Sequence, residues 1–383
     1  MPLLRIFAGI LLCLLASRGV HAQSGAAAQG IIDAGFRGDS INLMSVLKRV
    51  ETTRADAVIE IPADASGQKA GMQLSASIAG ARHRWAVFTL HNPAAASREF
   101  VLEIPDGGFV SSGVVWPRLY SRHVRSLRTS NGAAPRPVNA LNAEAFVLSV
   151  GAGKTVTFAA ELTPASLTKA VLWHRAAFDN QISQLTFFYG VLLGIAGLTA
   201  IAVVSLFIVR PQMVFPAAGL FVWACVVFLA LNAGYYQVVE AWAPAILPGP
   251  ARARALAESA MFAGIALTLT SFLQLARRQL VLFAFFVLLA LSGFALMWLG
   301  LSNPAPASGL ARIGFAITVV SGLATILALR ADGVIRAKAS LFSWLLLTAW
   351  TLAAAAGALG LAGSLFIGQA ISAGLVLVLV AFG

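Results

Sequence analysis

An aromatic and basic triplet, Trp116, Arg118 and Tyr120, is the best candidate for ligand binding in this sequence. Pro117 stands inside it and cannot donate to a strand ladder, so a strand through this stretch should be interrupted and its neighbours exposed. Exposed indole and phenol rings beside a guanidinium can stack on a small polar ligand and hydrogen-bond to it. We therefore predict that these three residues bind a small ligand, with carbohydrate as one candidate class.

The remaining motifs are weaker. Trp85 and Trp173 could line the same sugar-binding face, but both stand in alternating apolar runs and are predicted to pack in a core. Gly151–Thr155 imitates the end of a phosphate-binding loop, yet Leu148 replaces its first glycine and a strand-like alternation follows, which favours a hairpin turn. The histidines lack metal-binding spacing, so we predict surface or turn positions for them, no metal site and no cofactor. They are His83, His91, His123 and His174.

Acidic residues support two further hypotheses. A membrane-tethered, sugar-active enzyme would need two carboxylates about 5–10 Å apart, and we do not favour an enzymatic activity for this chain. The available residues are Glu99, Glu103, Asp106 and Glu144. Glu258 lies in a long apolar run, where a carboxylate is costly and marks a functional candidate. Because Arg252 and Arg254 are close to it in sequence, interfacial ion pairing is favoured over an ion pathway.

The composition indicates a membrane protein. The 383 residues are 59% hydrophobic and 11% charged, and the mean hydropathy is +0.83, which is outside the range of ordinary soluble domains. The net charge of +12 follows no basic stripe, so nucleic acid is not a predicted partner. After removal of the first 22 residues Cys225 is the only cysteine, which excludes an intramolecular disulfide.

Seven apolar runs in the second half have the length of membrane-crossing helices, about 18–25 residues each. Lipid offers no partner for backbone amides, so each run should be a hydrogen-bonded helix, with the bilayer as its partner. Glycines within the runs would let helices approach closely. The runs cover approximately 185–209, 213–233, 256–275, 280–301, 310–329, 341–361 and 365–382.

Residues 1–22 are predicted to be a secretory signal peptide. Arg5 supplies its positive region, Ile6–Ala16 its apolar core and Val20–Ala22 its cleavage site; an uncleaved anchor is the alternative. With the following domain exported, the predicted cytoplasmic loops carry six Arg or Lys against three outside, in line with the positive-inside rule. The carboxyl end is then cytoplasmic. The last run reaches Gly383 without a polar cap, so we expect a longer protein.

The exported part is predicted to be a β-sandwich. Residues 23–56 form a mixed lead-in with a short helix over Ser40–Val50. Between 57 and 177, short Val-, Ile-, Phe- and Trp-rich runs alternate with Gly/Pro turns, which predicts about eight strands in a jelly-roll-like domain. Residues 178–184 form a junction without a flexible linker. The fold class is thus a jelly-roll-like β-sandwich plus an all-α, seven-helix transmembrane domain over 185–383.

Four stretches carry a resemblance to a known family. They are Trp85–Pro93 (WAVFTLHNP), Arg98–Ile104, Leu172–Phe178 and Phe187–Gly194. In order and spacing they resemble bacterial 7TMR-DISM receptors, seven-transmembrane receptors with diverse intracellular signalling modules, in the form with the second type of extracellular sensor domain. The resemblance implies a periplasmic sensor on a multi-pass protein of the bacterial inner membrane. It further implies an output domain after residue 383, either a GGDEF or EAL enzyme of cyclic-di-GMP signalling or a histidine kinase.

Two function classes follow from these expectations. The first is a signal-transducing receptor whose sandwich senses a small ligand and whose junction biases the packing of the seven helices; a homodimer is compatible with it. The second is a transporter or channel with an exported substrate-binding domain, against which the sparse polar lining of the runs argues. The residues expected to relay the signal are Phe178, Phe187, Phe188, Tyr189 and Gly190.

Overall fold

The fold is taken from a computed structural model of the chain. It describes residues 31–64, 68–77, 82–105, 108–111, 114–117, 124–138, 140–141, 143–163, 167, 169–236, 248–275, 279–358 and 365–382. The predicted signal peptide, 1–22, lies outside these residues. The chain divides into a β-rich unit that ends at Leu185 and a helical unit that begins at Thr186, with Val110–Trp116 grouped with the helices.

The described residues before α1 form fourteen strands, most of them short and rich in β-branched and aromatic residues. In chain order they are β1 Ile31–Asp33, β2 Ser40–Asn42, β3 Lys48–Thr52, β4 Asp56–Pro62, β5 Lys69–Ser75, β6 His83–His91, β7 Arg98–Pro105, β8 Gly108–Ser111, β9 Val114–Pro117, β10 Val124–Thr129, β11 Arg136–Val138, β12 Ala143–Val150, β13 Thr155–Leu162 and β14 Val171–His174.

Ten of these strands form two five-stranded sheets. Sheet I has the order β1-β6-β13-β10, and β3 pairs with β6 as well. Its one parallel pair among the described strands joins β1 to β6, with Ile31 opposite Thr89. Sheet II has the order β11-β12-β7-β14-β2 and its described pairs are antiparallel. The hairpins β4–β5 and β8–β9 are separate two-stranded sheets.

The two sheets face each other across one hydrophobic core. Sheet I contributes Phe88 and Phe158, whose rings stack with centroids 5.5 Å apart, and sheet II contributes the fully buried Phe100 and Leu148. Side chains that alternate along each strand supply this inner face, which is the arrangement of a sandwich. The predicted β-sandwich is therefore confirmed, and jelly-roll connectivity stays a prediction.

A buried asparagine closes one end of the sandwich. Asn92 is fully buried, and its amide nitrogen donates to the carbonyls of Ala96, Val150 and Gly151 at 2.8 to 3.1 Å. The turn after Val150, which imitates a phosphate loop, leads into β13 as its strand-like alternation predicts. It is not a hairpin, however, because β12 belongs to sheet II and β13 to sheet I.

The segment before residue 57 differs from its prediction. The short helix expected over Ser40–Val50 is wrong: the segment holds β2, a 3-10 turn at Leu43–Ser45 and the start of β3. Ile41 and Leu43 point into the core at a spacing of two, which suits a strand. The lead-in thus supplies β1, β2 and β3 to the two sheets.

The helical unit confirms the seven apolar runs as helices. Six of them are long and apolar enough to cross a membrane, and the last is a shorter apolar helix. We therefore treat the chain as a multi-pass membrane protein. The α-helices of the described residues are α1 Arg175–Val209, α2 Val214–Asn232, α3 Pro250–Leu273, α4 Leu280–Ser302, α5 Pro304–Ala331, α6 Ile335–Ala358 and α7 Leu365–Phe382.

Helix α3 occupies the centre of the helical unit. It contacts α2, α4, α5 and α6, and most of its residues are buried. Small residues permit these contacts: a Cβ added to Gly264 would lie 2.7 Å from the backbone nitrogen of Phe221 in α2. The predicted close approaches at Gly314 and Gly322 are present too, against the rings of Phe262 and Trp344.

Candidate functional site

The predicted ligand-binding triplet is described only in part. Trp116 lies in β9, which pairs with β8 as a short hairpin. Its side chain, and the whole of Arg118 and Tyr120, fall outside the described residues. Their role in binding stays a prediction.

The predicted junction is part of a helix. Strand β14 ends at His174 and α1 begins at Arg175, so residues 178–184 continue the helix into the apolar run without a separate connector. Helix α1 therefore starts ten residues before the predicted start of the span. The division between the two units falls within this helix, between Leu185 and Thr186.

The first turns of α1 pack against the outer face of sheet II. Phe178 is 3% exposed and contacts a cluster of five buried residues, with Ala177 and Ile182 at its edge. We call this set the outer cluster: Val101, Ala145, Val147, Val171, Trp173 and Phe178. The cluster joins three strands of sheet II to the start of α1. A displacement of these strands would therefore shift the start of the helix.

A carboxyl group is buried in the same face. Glu103 is 5% exposed and lies opposite Ala145 of β12 and Val171 of β14, both members of the outer cluster. The indole nitrogen of Trp173 donates to its Oε2 at 2.6 Å. Burial raises the pKa of the Glu103 carboxyl above its usual value, and the bond from Trp173 and the charge of Lys169 offset only part of this rise. The prediction that Trp173 packs in the core is confirmed.

The other predicted relay residues lie further along α1, in the helical unit. Phe188 is buried among the helices and meets Tyr189 edge to face at 5.4 Å, whereas Phe187 is 68% exposed. Next to them, the Tyr235 hydroxyl donates to the carbonyl of Thr186 at 3.4 Å and lies 4.0 Å from the Cβ position of Gly190. Phe178 and Phe188 thus belong to separate cores at the two ends of one helical segment.

A second buried polar group lies on the outer face of sheet I, under hairpin β4–β5. Glu161 Oε2 accepts hydrogen bonds from the Ser77 backbone and hydroxyl and from the Ser126 hydroxyl, at 2.7 to 3.0 Å. Burial raises the pKa of the Glu161 carboxyl, but these bonds and the charge of Arg125 outweigh it and hold the pKa below its usual value. Glu161 therefore fastens the end of the hairpin to sheet I.

Two aromatic residues complete this group. His83 and Trp85 are buried beside Glu161, with His83 Nδ1 3.6 Å from Glu161 Oε1. The surface position predicted for His83 is wrong, because it alternates with Trp85 on the face that the hairpin covers. The ring nitrogens of both side chains have no hydrogen-bond partner among the described residues. The sequence signal that could have located this group is the spacing of two between His83 and Trp85.

Glu99, Glu103 and Glu144, the three candidate carboxylates among the described residues, lie in different surroundings. Glu103 faces the outer cluster, whereas Glu144 lies opposite Ile104, a residue of the inner core, and accepts from the backbone of Val124. Glu99 is near Arg136 at 3.6 Å on the surface, and Asp106 lies outside the described residues. Within the described part of the chain, no three His, Cys, Asp or Glu side chains gather as a metal site would require.

Ion pairing at Glu258 is confirmed, with one partner that the sequence did not indicate. Arg254, four residues earlier in α3, donates at 2.8 Å, and Arg312 of α5 donates at 2.7 Å. Ser308 of α5 also donates to the carboxylate. Arg252 is exposed. Glu258 is only 5% exposed, so the pairing lies within the helices rather than at their surface.

Comparisons of the chain with protein-family models, with curated proteins and with solved structures find no match.

Proposed function

We propose that this chain is a membrane receptor in which the β-sandwich detects a small ligand and the helices relay the signal. The observation that carries the proposal is the continuity of α1, which leaves β14 directly and runs on as the first apolar helix. A tether needs only a flexible linker, whereas a helix with one end packed on the outer face of sheet II can pass on a displacement. The ligand must bind one packing of the helices more tightly than the other.

The finer parts of the proposal have two sources. A periplasmic sandwich, a location in the bacterial inner membrane and a cytoplasmic output domain come from the resemblance to 7TMR-DISM receptors. The small-ligand site at Trp116, Arg118 and Tyr120, with carbohydrate as one candidate class, comes from the residue types around Pro117. Trp85 and Asn92 support the resemblance. Both belong to the stretch Trp85–Pro93 that carries it, and both are buried in the β-sandwich.

The proposal is tested on the full chain in lipid nanodiscs. In a Cys225→Ala background, spin labels at Val209 and Ile335, both highly exposed helix ends, report a distance with and without glucose, maltose or N-acetylglucosamine. We expect at least one sugar to shift the distance distribution. Ser183→Pro, which breaks α1 at an exposed position, should abolish the shift, whereas Ser183→Ala should keep it. A sugar that binds without moving the labels would contradict the relay.

One observation favours the alternative of a transporter or channel. Arg254, Glu258 and Arg312 place charges inside the helical unit, where such groups often mark ion pathways. If the chain is a transporter, vesicles reconstituted with the full chain should take up one of the same sugars, and Glu258→Gln should reduce this uptake. Uptake without any change in the label distance would replace the receptor proposal by this one.

A further inference from the structure

An ionisable group lies in the face of sheet II against which the start of α1 packs. Glu103 projects from the middle of β7 into the outer cluster, whose members are otherwise apolar apart from the indole nitrogen of Trp173. Its cross-strand neighbours, Ala145 and Val171, belong to the same cluster as Phe178 of α1. A carboxylate in such surroundings gives up its hydration for few compensating bonds. The position is therefore an unfavourable one for the charged form.

Among the residues that the structure describes, no ion pair holds Glu103 in its charged form. From sheet II, β12 presents Ala145, and β14 presents Val171 and Trp173. Lys169, just before β14, is the charged group whose attraction lowers the pKa of Glu103, and burial outweighs it. From α1, Phe178 and Ile182 are apolar, and the helix's own charges, Arg175 and Asp179, pair with each other at 2.9 Å on the surface.

The direction of the pH effect follows from linkage. Because the pKa of Glu103 is raised in the folded chain, the folded state holds the proton to higher pH than the unfolded state does. The stability of this packing is then complete below the unfolded pKa of about 4.3 and is lost as the pH rises through the raised value. Ionised Glu103 weakens the outer cluster, and protonated Glu103 strengthens it.

We propose that Glu103 is a proton-sensing switch at the start of α1. Acidification protonates the carboxyl group and strengthens the packing of the first turns of α1 on sheet II. Ionisation at higher pH loosens the same turns, so the proton becomes an input that reaches the helices through α1. The use of this input as a signal rests on the receptor proposal above, but the switch itself is a property of the β-rich unit.

The test uses hydrogen exchange of the full chain in nanodiscs, with rates corrected for the intrinsic effect of pH. Between about pH 4 and about pH 8 we expect the protection of residues 175–185 to fall severalfold, because ionisation of the buried Glu103 carboxyl weakens the packing of α1 on sheet II. Glu103→Gln keeps an acceptor for Trp173 without the charge, so its protection should stay high and flat. Glu99→Gln, on the exposed edge of the same strand, should behave like the parent chain.

A second variant covers the case in which Glu103→Gln does not fold. Trp173→Phe removes the donor that favours the carboxylate, so the loss of protection should move to higher pH. The proposal is overturned if Glu103→Gln retains the parent pH profile, or if Trp173→Phe leaves the midpoint unchanged. If protection changes with pH while a sugar binds without moving the spin labels at Val209 and Ile335, the switch stands and the receptor proposal fails.

Discussion

Arg312 of α5 holds Glu258 of α3 with three hydrogen bonds, at 2.7, 3.1 and 3.1 Å, although the two residues are 54 positions apart. Arg254 binds the same carboxylate from within α3 at 2.8 Å. One carboxylate thus faces two guanidinium groups inside an apolar unit, and the geometry compensates part of the cost of burying them. The contact between α3 and α5 depends on this residue.

Glu258→Gln should destabilise the helical unit strongly. The two arginines lose their shared counter-charge while they stay buried, and breaking a buried pair in this way costs about 3–5 kcal/mol. Thermal unfolding of the full chain in detergent micelles measures the loss. Arg252→Gln is the control, since Arg252 is exposed, and we expect a change within about 0.5 kcal/mol for it. Equal stability of both variants would show that the ion cluster does not hold α3 to α5.

Gly264→Ala should loosen the packing of α3 on α2. The added methyl group would meet the Phe221 backbone at 2.7 to 2.8 Å, and overpacking of this kind costs about 1–3 kcal/mol. The same unfolding measurement applies. Gly197→Ala in α1 is the matched control, because its Cβ meets nothing within 4 Å; we expect it to be neutral or to stabilise by up to about 1 kcal/mol. The close contact would be disproved by equal effects at the two glycines.

Glu161→Gln should free the end of hairpin β4–β5. The carboxylate accepts three hydrogen bonds through Oε2, and loss of its charge weakens them by about 1–3 kcal/mol in total. Since the pKa of Glu161 is lowered by folding, its contribution is present above the unfolded pKa of about 4.3 and is lost as the pH falls through the folded value. Hydrogen exchange of residues 69–77 at neutral and acidic pH measures both effects.

The control for that variant is Glu51→Gln, whose carboxylate pairs with Arg84 at 3.1 Å on the surface. Exposed pairs contribute little, so protection of the hairpin should not change. If residues 69–77 are as well protected in the Glu161→Gln variant as in the parent chain at neutral pH, Glu161 does not hold the hairpin on sheet I.

Asn92→Ala should destabilise the β-sandwich. Three carbonyl groups lose the amide nitrogen that donates to them, and Val150 is the buried residue among the three acceptors. Leaving this buried acceptor without a donor costs about 1–3 kcal/mol. Thermal unfolding followed by circular dichroism in the β region measures it. Asn131→Ala, in an exposed turn, should have little effect. A small change at Asn92 would mean that water replaces its amide.

Sequence periodicity identified the helices better than the strands. The apolar runs needed no tertiary information, because backbone groups in lipid can be satisfied only within a helix or a closed barrel. Strands such as β5 (KAGMQLS) and β10 (VRSLRT) carry a weak strand signal, since charged and polar residues occupy much of their length. Their pairing with β4 and β13 overrides a weak local signal.

Run length and composition are enough to predict that an apolar helical half follows a β-rich half without a flexible linker, and that Glu258 pairs with an arginine. Three relationships appear in the folded chain alone: Arg312 shares that carboxylate, His83 is buried beside Glu161, and Glu103 lies opposite Ala145 and Val171 of the outer cluster. Each of these contacts joins residues that are distant in sequence. Strand register and helix packing determine such contacts, and the local sequence pattern does not.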